Sequence, residues 1–161
     1  MLSKIISGGQ TGVDRGALDA ALEASFPCGG WCPRGRRAED GRIPDRYRMD
    51  EMPVPDYPSR TRRNVLDSDA TLIVFFGTLS GGTLETLRIA EQVRKPALTL
   101  DASVKPVAIA SIEAATFIEQ NAIRTLNVAG PRESSQPGAA DYAKALIAAV
   151  LEIVRKNTPP G

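Results

Sequence analysis

Three features of this sequence predict an α/β protein built on a mainly parallel sheet. Short apolar, β-branched runs alternate with Ala- and Leu-rich stretches of helical length. One run, Ala70 to Phe76, is apolar almost throughout, the pattern of a strand covered on both faces. Three turns rich in glycine and serine each stand between the end of a strand and a following helix. The chain has 161 residues, 42% hydrophobic and 24% charged, and so can bury a core without disulfides or metals.

Taken in order, Leu2 to Ser7 reads as a short apolar strand, and Asp14 to Ser25 as a helix whose Ala17, Ala20, Ala21 and Ala24 suit close packing on a sheet. Pro27 to Cys32 is a second strand or extended turn, interrupted by Gly29-Gly30. Residues 33–58 are rich in Pro, Arg, Asp and Tyr and have no clean period. They are expected to form a long loop insertion of the kind that often serves function. Ile43, Tyr47, Met49, Met52 and Tyr57 offer it apolar anchors. Ser59 is the expected cap of a helix running to about Asp67. After the strand at Ala70 to Phe76 comes Gly77 to Thr83, then a helix to about Arg94 with Leu84, Leu87, Ala90 and Val93 on one side. Lys95-Pro96 ends it, and Ala97 to Leu100 is a fourth strand. Ser111 to Asn121 reads as helix and Thr125 to Ala129 as a fifth strand. The last helix spans Gly138 to Arg155, with Ala143, Leu146, Ile147, Val150 and Val154 at i, i+3, i+4 spacing.

Strands that alternate with helices in this way imply right-handed crossovers, helices on both faces, and a doubly wound, Rossmann-like arrangement. The expected organisation is one such domain over 1–156 and a flexible tail over 157–161.

A formal net charge of +1 points neither to nucleic acid nor to a membrane surface. There is no histidine, which removes the commonest general base near neutral pH. Two cysteines, Cys28 and Cys32, are too few for a disulfide scaffold, and structural zinc would need further ligands. The N-terminus lacks the apolar core of a signal peptide, and no segment approaches the roughly 18 apolar residues of a membrane span. A cytoplasmic location is expected.

In an open parallel sheet, ligands bind beyond the carboxyl ends of the strands. Three turns belong there: Gly8-Gly9-Gln10-Thr11-Gly12, Ser80-Gly81-Gly82-Thr83 and Gly130-Pro131-Arg132-Glu133-Ser134. Glycine allows close approach, and a helix N-terminus offers unpaired N–H groups and a positive dipole end. Together they favour phosphate or another oxyanion. Thr11, Ser80, Thr83 and Ser134 add hydroxyls, and Arg15 and Arg132 could clamp the charge. The first turn is neither G-x-G-x-x-G nor a P-loop with its Lys, which disfavours nicotinamide cofactors and ATP hydrolysis.

Trp31 is followed by Arg34, Arg36 and Arg37. Either these form an aromatic and cationic platform for a planar, anionic heterocycle, or Trp31 is core and the arginines are a solvated face. The C-x₃-C pair is either two small packed thiols or a soft-metal or redox pair, although its spacing is not the redox C-x-x-C. Asp14 is a candidate helix cap, or an alternative to Glu85 as an acid or base. Glu39, Asp40 and Glu85 are either candidate acids and bases or surface groups.

Four blocks then carry a family resemblance: Ser7 to Ala17, Gly29 to Gly41, Leu79 to Thr83, and Asn127 to Ser134. In this order they resemble the molybdenum-cofactor carrier proteins, over nearly the whole chain. The resemblance implies a Rossmann-like fold and a homotetramer. It implies that the cargo is molybdenum cofactor, a pterin whose dithiolene holds molybdenum and which ends in a phosphate, stored and handed to molybdoenzyme clients. The phosphate or metal oxyanion is expected on the N–H groups of Gly8 to Gly12 and Gly81 to Thr83, with bonds from Ser80, Thr83, Arg132 and Ser134. Arg15, Gly130 and Glu133 are expected beside it. Trp31, Cys32 and Arg34 to Arg37 are expected to line or cover the pterin. No catalytic residue and no protein metal ligand is implied.

The family also looks related to lysine-decarboxylase-like phosphoribohydrolases, whose hallmark is P-G-G-x-G-T-x-x-E. Gly82-Thr83-Leu84-Glu85-Thr86 is similar to its G-T-x-x-E part, with Thr86 where Glu is expected. Glu85 is one position off, a helical rotation of about 100°. The alternatives to a carrier are thus a nucleoside-monophosphate phosphoribohydrolase, with Glu85 or Asp14 as its acid or base, and a nucleotide-sensing module, with nucleotide or phosphate as ligand.

Overall fold

The structure, a computed structural model, describes residues 1–159. Five parallel strands make its central sheet: β1 (Lys4–Ile6), β2 (Cys28–Gly29), β7 (Ala70–Phe75), β8 (Ala97–Asp101) and β9 (Thr125–Ala129). Their order is β2-β1-β9-β7-β8. The last strand in sequence is therefore the middle one. Ile5 pairs with Leu126 and Leu126 with Ala70, while Leu72 pairs with both Val128 and Leu98, so two apolar rows, two residues apart, run across the sheet.

Helices α1 (Val13–Glu23), α4 (Val107–Gln120) and α5 (Ala139–Lys156) pack together on one face. There Ala17, Ala21, Ala114, Leu146, Ile147 and Val150 meet Ile5, Leu72, Val74, Leu126 and Val128. Helices α2 (Tyr57–Leu66) and α3 (Gly81–Gln92) share a smaller cluster of Val65, Ile89 and Ala90, with Val93 and Ala97 against it. The protein is thus a Rossmann-like α/β fold, as its alternating pattern predicts. On α3 the fully buried residues are Thr86, Ile89 and Ala90, whereas Leu84 and Leu87 are only half-buried. The second face is covered by two helices rather than three, so part of that expected apolar stripe stays in reach of solvent.

Residues 33–58 are more ordered than a loop. Short strand β3 (Trp31–Cys32) pairs in parallel with β6 (Asp50–Glu51), and β4 (Arg37–Ala38) with β5 (Gly41–Arg42) forms a hairpin. Cys32, Ala38, Ile43 and Tyr47 bury themselves against Leu18 of α1. Arg36 is buried and bonds the carbonyls of Ile43, Pro44 and Tyr47, tying the segment into a ring. The cap of α2 is Asp56, whose Oδ1 accepts from Ser59 N at 2.8 Å; Ser59 lies inside the helix. In the expected tail, Thr158 Oγ1 still bonds Val154 O, and residues 160–161 lie outside the described residues.

The chain turns outward from β1 through α1 to β2, and in the opposite direction from β7 through α3 to β8. This is a topological switch point, with β9 at its centre. The crevice it opens lies beyond the carboxyl ends of β1, β9 and β7.

Candidate functional site

That crevice is a cavity of about 300 Å³, at the small end of ligand pockets. All three glycine-rich turns reach it: Gly8 and Gln10 from the first, Ser80, Gly81, Gly82 and Thr83 from the second, Gly130 to Arg132 from the third. They differ in what their donors are doing.

The first turn is bonded to itself. Gln10 N donates to Asp14 Oδ2 at 3.3 Å, Gly9 N to Ser7 Oγ at 3.4 Å, and Thr11 N to Gln10 Oε1 at 3.0 Å. Gly12, at φ +80°, passes so near the third turn that a Cβ would lie 2.3 Å from Pro131 O. Only glycine fits that contact, which Val13 N seals by donating to Pro131 O at 3.2 Å. The third turn is likewise engaged. Glu133 N donates to Thr11 Oγ1 at 3.2 Å and Ser134 N to Glu39 Oε1 at 3.2 Å. The Glu133 carboxylate caps α5, accepting from Gly138 N at 2.7 Å and Ala140 N at 2.8 Å.

The second turn is open. No acceptor among the described residues meets the N–H groups of Gly81, Gly82 and Thr83, and the N-cap Ser80 makes no side-chain cap bond. A Cβ on Gly81 or Gly82 would meet nothing within 4 Å. Here the unpaired donors and dipole end of a 12-residue helix face the cavity.

Helix α2 supplies the opposite wall. Tyr57, Arg60, Thr61 and Asn64 recur at i, i+3, i+4 and i+7 and so share one stripe. Arg60 is only 7% exposed. Its Nη1 donates to Gly8 O at 2.6 Å and lies 3.8 Å from Asp14 Oδ2, while its Nε has no partner. Gln10 Nε2 is also buried without a partner. Three guanidinium groups, of Arg37, Arg60 and Arg132, stand within 5.4 Å of the Tyr57 ring. The Tyr57 side of the site is thus rich in guanidinium groups, and the cavity lining sets Arg60 and Arg132 against the acidic residues Asp14 and Glu85. Beneath it, burial pushes the Asp14 carboxyl up to about 6. The Arg60 charge, N–H groups of Gln10 and Gly8, and Arg15 oppose that rise.

Several expected site residues lie elsewhere. Trp31 faces α2 from outside the cavity: its N and O bond the Asn64 amide at 2.8 and 2.9 Å, its Nε1 donates to Asp67 Oδ2 at 2.7 Å, and Arg63 covers its ring. Cys32 is fully buried in the small core, and burial pushes both cysteine thiols up, the opposite of an activated thiolate. Arg34 is exposed. Arg15 is paired bidentately with Asp40 and donates to Gly9 O at 3.0 Å. Thr11 and Ser134 are engaged with Glu39. Conversely, Tyr57, Arg60, Asn64 and Asn127 line the cavity without having been singled out as ligand contacts, and Asp14, a candidate acid or base, lines it with them. The signal that could have found the α2 residues was their helical spacing, polar and aromatic where a purely structural face would be apolar. Thr86 and Glu85 both border the cavity. Thr86 Oγ1 donates to Gly82 O at 2.9 Å, and Glu85 lies 4.0 Å from Arg88.

Among the described residues, no group of three or more His, Cys, Asp or Glu side chains could hold a metal ion, and no helix is long and apolar enough to cross a membrane. No curated protein is significantly similar to the chain. A crystal structure from Syntrophus aciditrophicus SB, named as a molybdenum carrier protein, is similar at 45% identity. It covers 93% of this chain and 95% of its own, with a TM-score of 0.87. Residues 5–151 match the circularly permutated YpsA SLOG family, and by that match the chain belongs to it.

Proposed function

We propose that this protein binds and carries a molybdenum-bearing anionic cargo of the molybdopterin type, seated in the cavity between α2 and α3. The observation that carries this reading is the open N-terminus of α3, whose three unpaired N–H groups face a cavity walled by Arg60 and Arg132. A phosphate or metal oxyanion there gains the helix dipole, backbone donors and two guanidinium groups at once. Tyr57 offers a flat face for a heterocycle, and Asn64 and Asn127 offer amide edges. The name of the similar Syntrophus protein supports molybdenum-related cargo. Of the two turns expected to hold the anion, only Gly81 to Thr83 keeps it here, because the first turn's donors are engaged.

In this proposal the chain works as one domain over 1–156, as a homotetramer in the cytoplasm, and passes its cargo to molybdoenzymes. The test is to load the purified protein with molybdenum cofactor, follow its oxidation in air, and offer it an apo-molybdoenzyme. Slower oxidation and restored enzyme activity are expected. A cofactor that is neither protected from oxidation nor transferred would sink the carrier role.

One observation favours a second reading. Asp14, with its carboxyl near pH 6, and Glu85 border the same cavity, as an acid and base of a phosphoribohydrolase would. Incubation with a panel of nucleoside monophosphates tests it: release of free base supports turnover, and inactivity across the panel removes it.

A further inference from the structure

The tip of the β4–β5 hairpin carries Glu39 and Asp40 to the far side of the first and third turns. There Glu39 is received much as a bound anion would be. Thr11 Oγ1 and Ser134 N, the latter at 3.2 Å, donate to its Oε1. Ser134 Oγ donates to Oε2 at 2.5 Å, and Arg132 Nη1 lies 3.8 Å from the same oxygen. No donor in this set comes from the hairpin itself. The Glu39 side chain is 18% exposed although its backbone is at the surface. Burial alone would raise its pKa, but the Ser134 and Thr11 bonds, with help from Arg132, hold the carboxyl below its ordinary range.

The hairpin's base is fixed independently of this contact. Ala38 and Ile43 are buried in the small core, and Arg36 ties together three carbonyls. Gly41, at φ +111°, has open space around it. Among the described residues, the tip is held by the Glu39 side chain, by Glu39 N donating to Gln10 Oε1 at 2.9 Å, and by the Asp40–Arg15 pair. Arg132 joins the two sites, because it lines the cavity and also reaches Glu39.

We propose that Thr11, Ser134 and Arg132 form a second, exchangeable oxyanion site, in which Glu39 stands in for a phosphate-sized anionic group and leaves when that group arrives. A tetrahedral anion presents more acceptor oxygens than a carboxylate, so the same donors serve it at least as well. A partly exposed carboxylate is held weakly enough to be exchanged. Occupation by a ligand then releases the Glu39 side chain and loosens the tip, which keeps the Glu39 N–Gln10 bond and the Asp40–Arg15 pair, while the base stays packed. Apart from Arg132, which both sites share, its donors lie outside the α3 turn, so the amides of Ser134 and of Gly81 to Thr83 report the two sites separately.

Amide NMR titrations with inorganic phosphate, and in a second arm with molybdate, test this on the wild type and on Glu39→Gln, Glu39→Ala and Glu39→Ala/Ser134→Ala. The Ser134 amide is expected to shift saturably. Glu39→Ala should bind more tightly than wild type, by about tenfold for a Glu39 carboxylate that vacates the donors one-tenth of the time. Glu39→Gln should fall between, and the double variant should lose the gain. Hydrogen exchange at residues 38–42 of the wild type should quicken at saturating phosphate. The arm that shifts Ser134 identifies the fitting group as phosphate or metal oxyanion. Equal affinity in wild type and Glu39→Ala would overturn the proposal. So would shifts at Gly81 to Thr83 with Ser134 unmoved, a result that leaves the α3 site standing.

Discussion

Asp14 offers a prediction whose size follows from its surroundings. The side chain is buried beneath the first turn, with Gln10 N on one oxygen and Arg60 3.8 Å away. Its carboxyl rises from 3.8 to about 6 on folding. Between those values the folded chain keeps a proton that the unfolded chain has lost. Raising the pH therefore favours unfolding. The contribution to stability is full below 3.8, declines between 3.8 and about 6, and is gone above that. Two pH units at about 1.4 kcal/mol each give about 3 kcal/mol. Asp14→Asn has no proton to lose there. The stability of the wild type relative to Asp14→Asn should therefore fall by about 3 kcal/mol from about pH 3.5 to pH 7. Asp40, Asp69 and Asp101, all held low by their partners, weaken both proteins equally in acid and cancel in the difference. Urea unfolding at closely spaced pH values, read by Trp31 fluorescence, measures it. A difference that stays constant across this range would refute the reasoning.

Arg60→Met leaves that carboxylate without its nearest cation and should cost about 3–5 kcal/mol at neutral pH, visible in the same unfolding assay. Gly12→Ala forces a Cβ against Pro131 O at a positive φ and should cost about 3 kcal/mol by thermal unfolding. Gly82→Ala, whose new methyl meets no atom within 4 Å, should change stability by no more than about 0.5 kcal/mol. Arg132→Ala should weaken inorganic phosphate binding by about 1.5–3 kcal/mol by calorimetry, and an unchanged affinity would show that the third turn does not face the anion.

The fold class and most element positions were legible because they rest on periodicity. Thr125–Ala129 falls where its β-branched and apolar run predicts, and the Ala143, Leu146, Ile147, Val150 stripe is fully buried. Helix α4 begins at Val107, four residues before the expected Ser111, because Pro106 serves as its N-cap. Sheet order was not legible, since crossover length does not say which neighbour a strand will choose. The site was legible where turns follow strands, and opaque where it depends on that order. Arg60 and Asn64 meet Gly8 and Trp31 only because α2 and α1 lie on opposite faces of the sheet. Nor does spacing reveal whether a turn's N–H groups are already taken. Glu39 is 95 residues from Ser134, and nothing local announces that they meet.

The central place of β9 has a consequence for the protein's synthesis. The strand that bridges β1 to β7 is the last to leave the ribosome, more than a hundred residues after β1. Until it emerges, β1 with β2 and β7 with β8 are two separate parallel pairs, each with an unsatisfied inner edge. Long-range parallel pairing of this kind is slow and leaves strand edges exposed. A nascent chain stalled near residue 124 would hold the first and second turns but neither β9 nor the third turn, and so no crevice. Arrival of β9 is thus the event that joins the sheet and brings the third turn to the cavity.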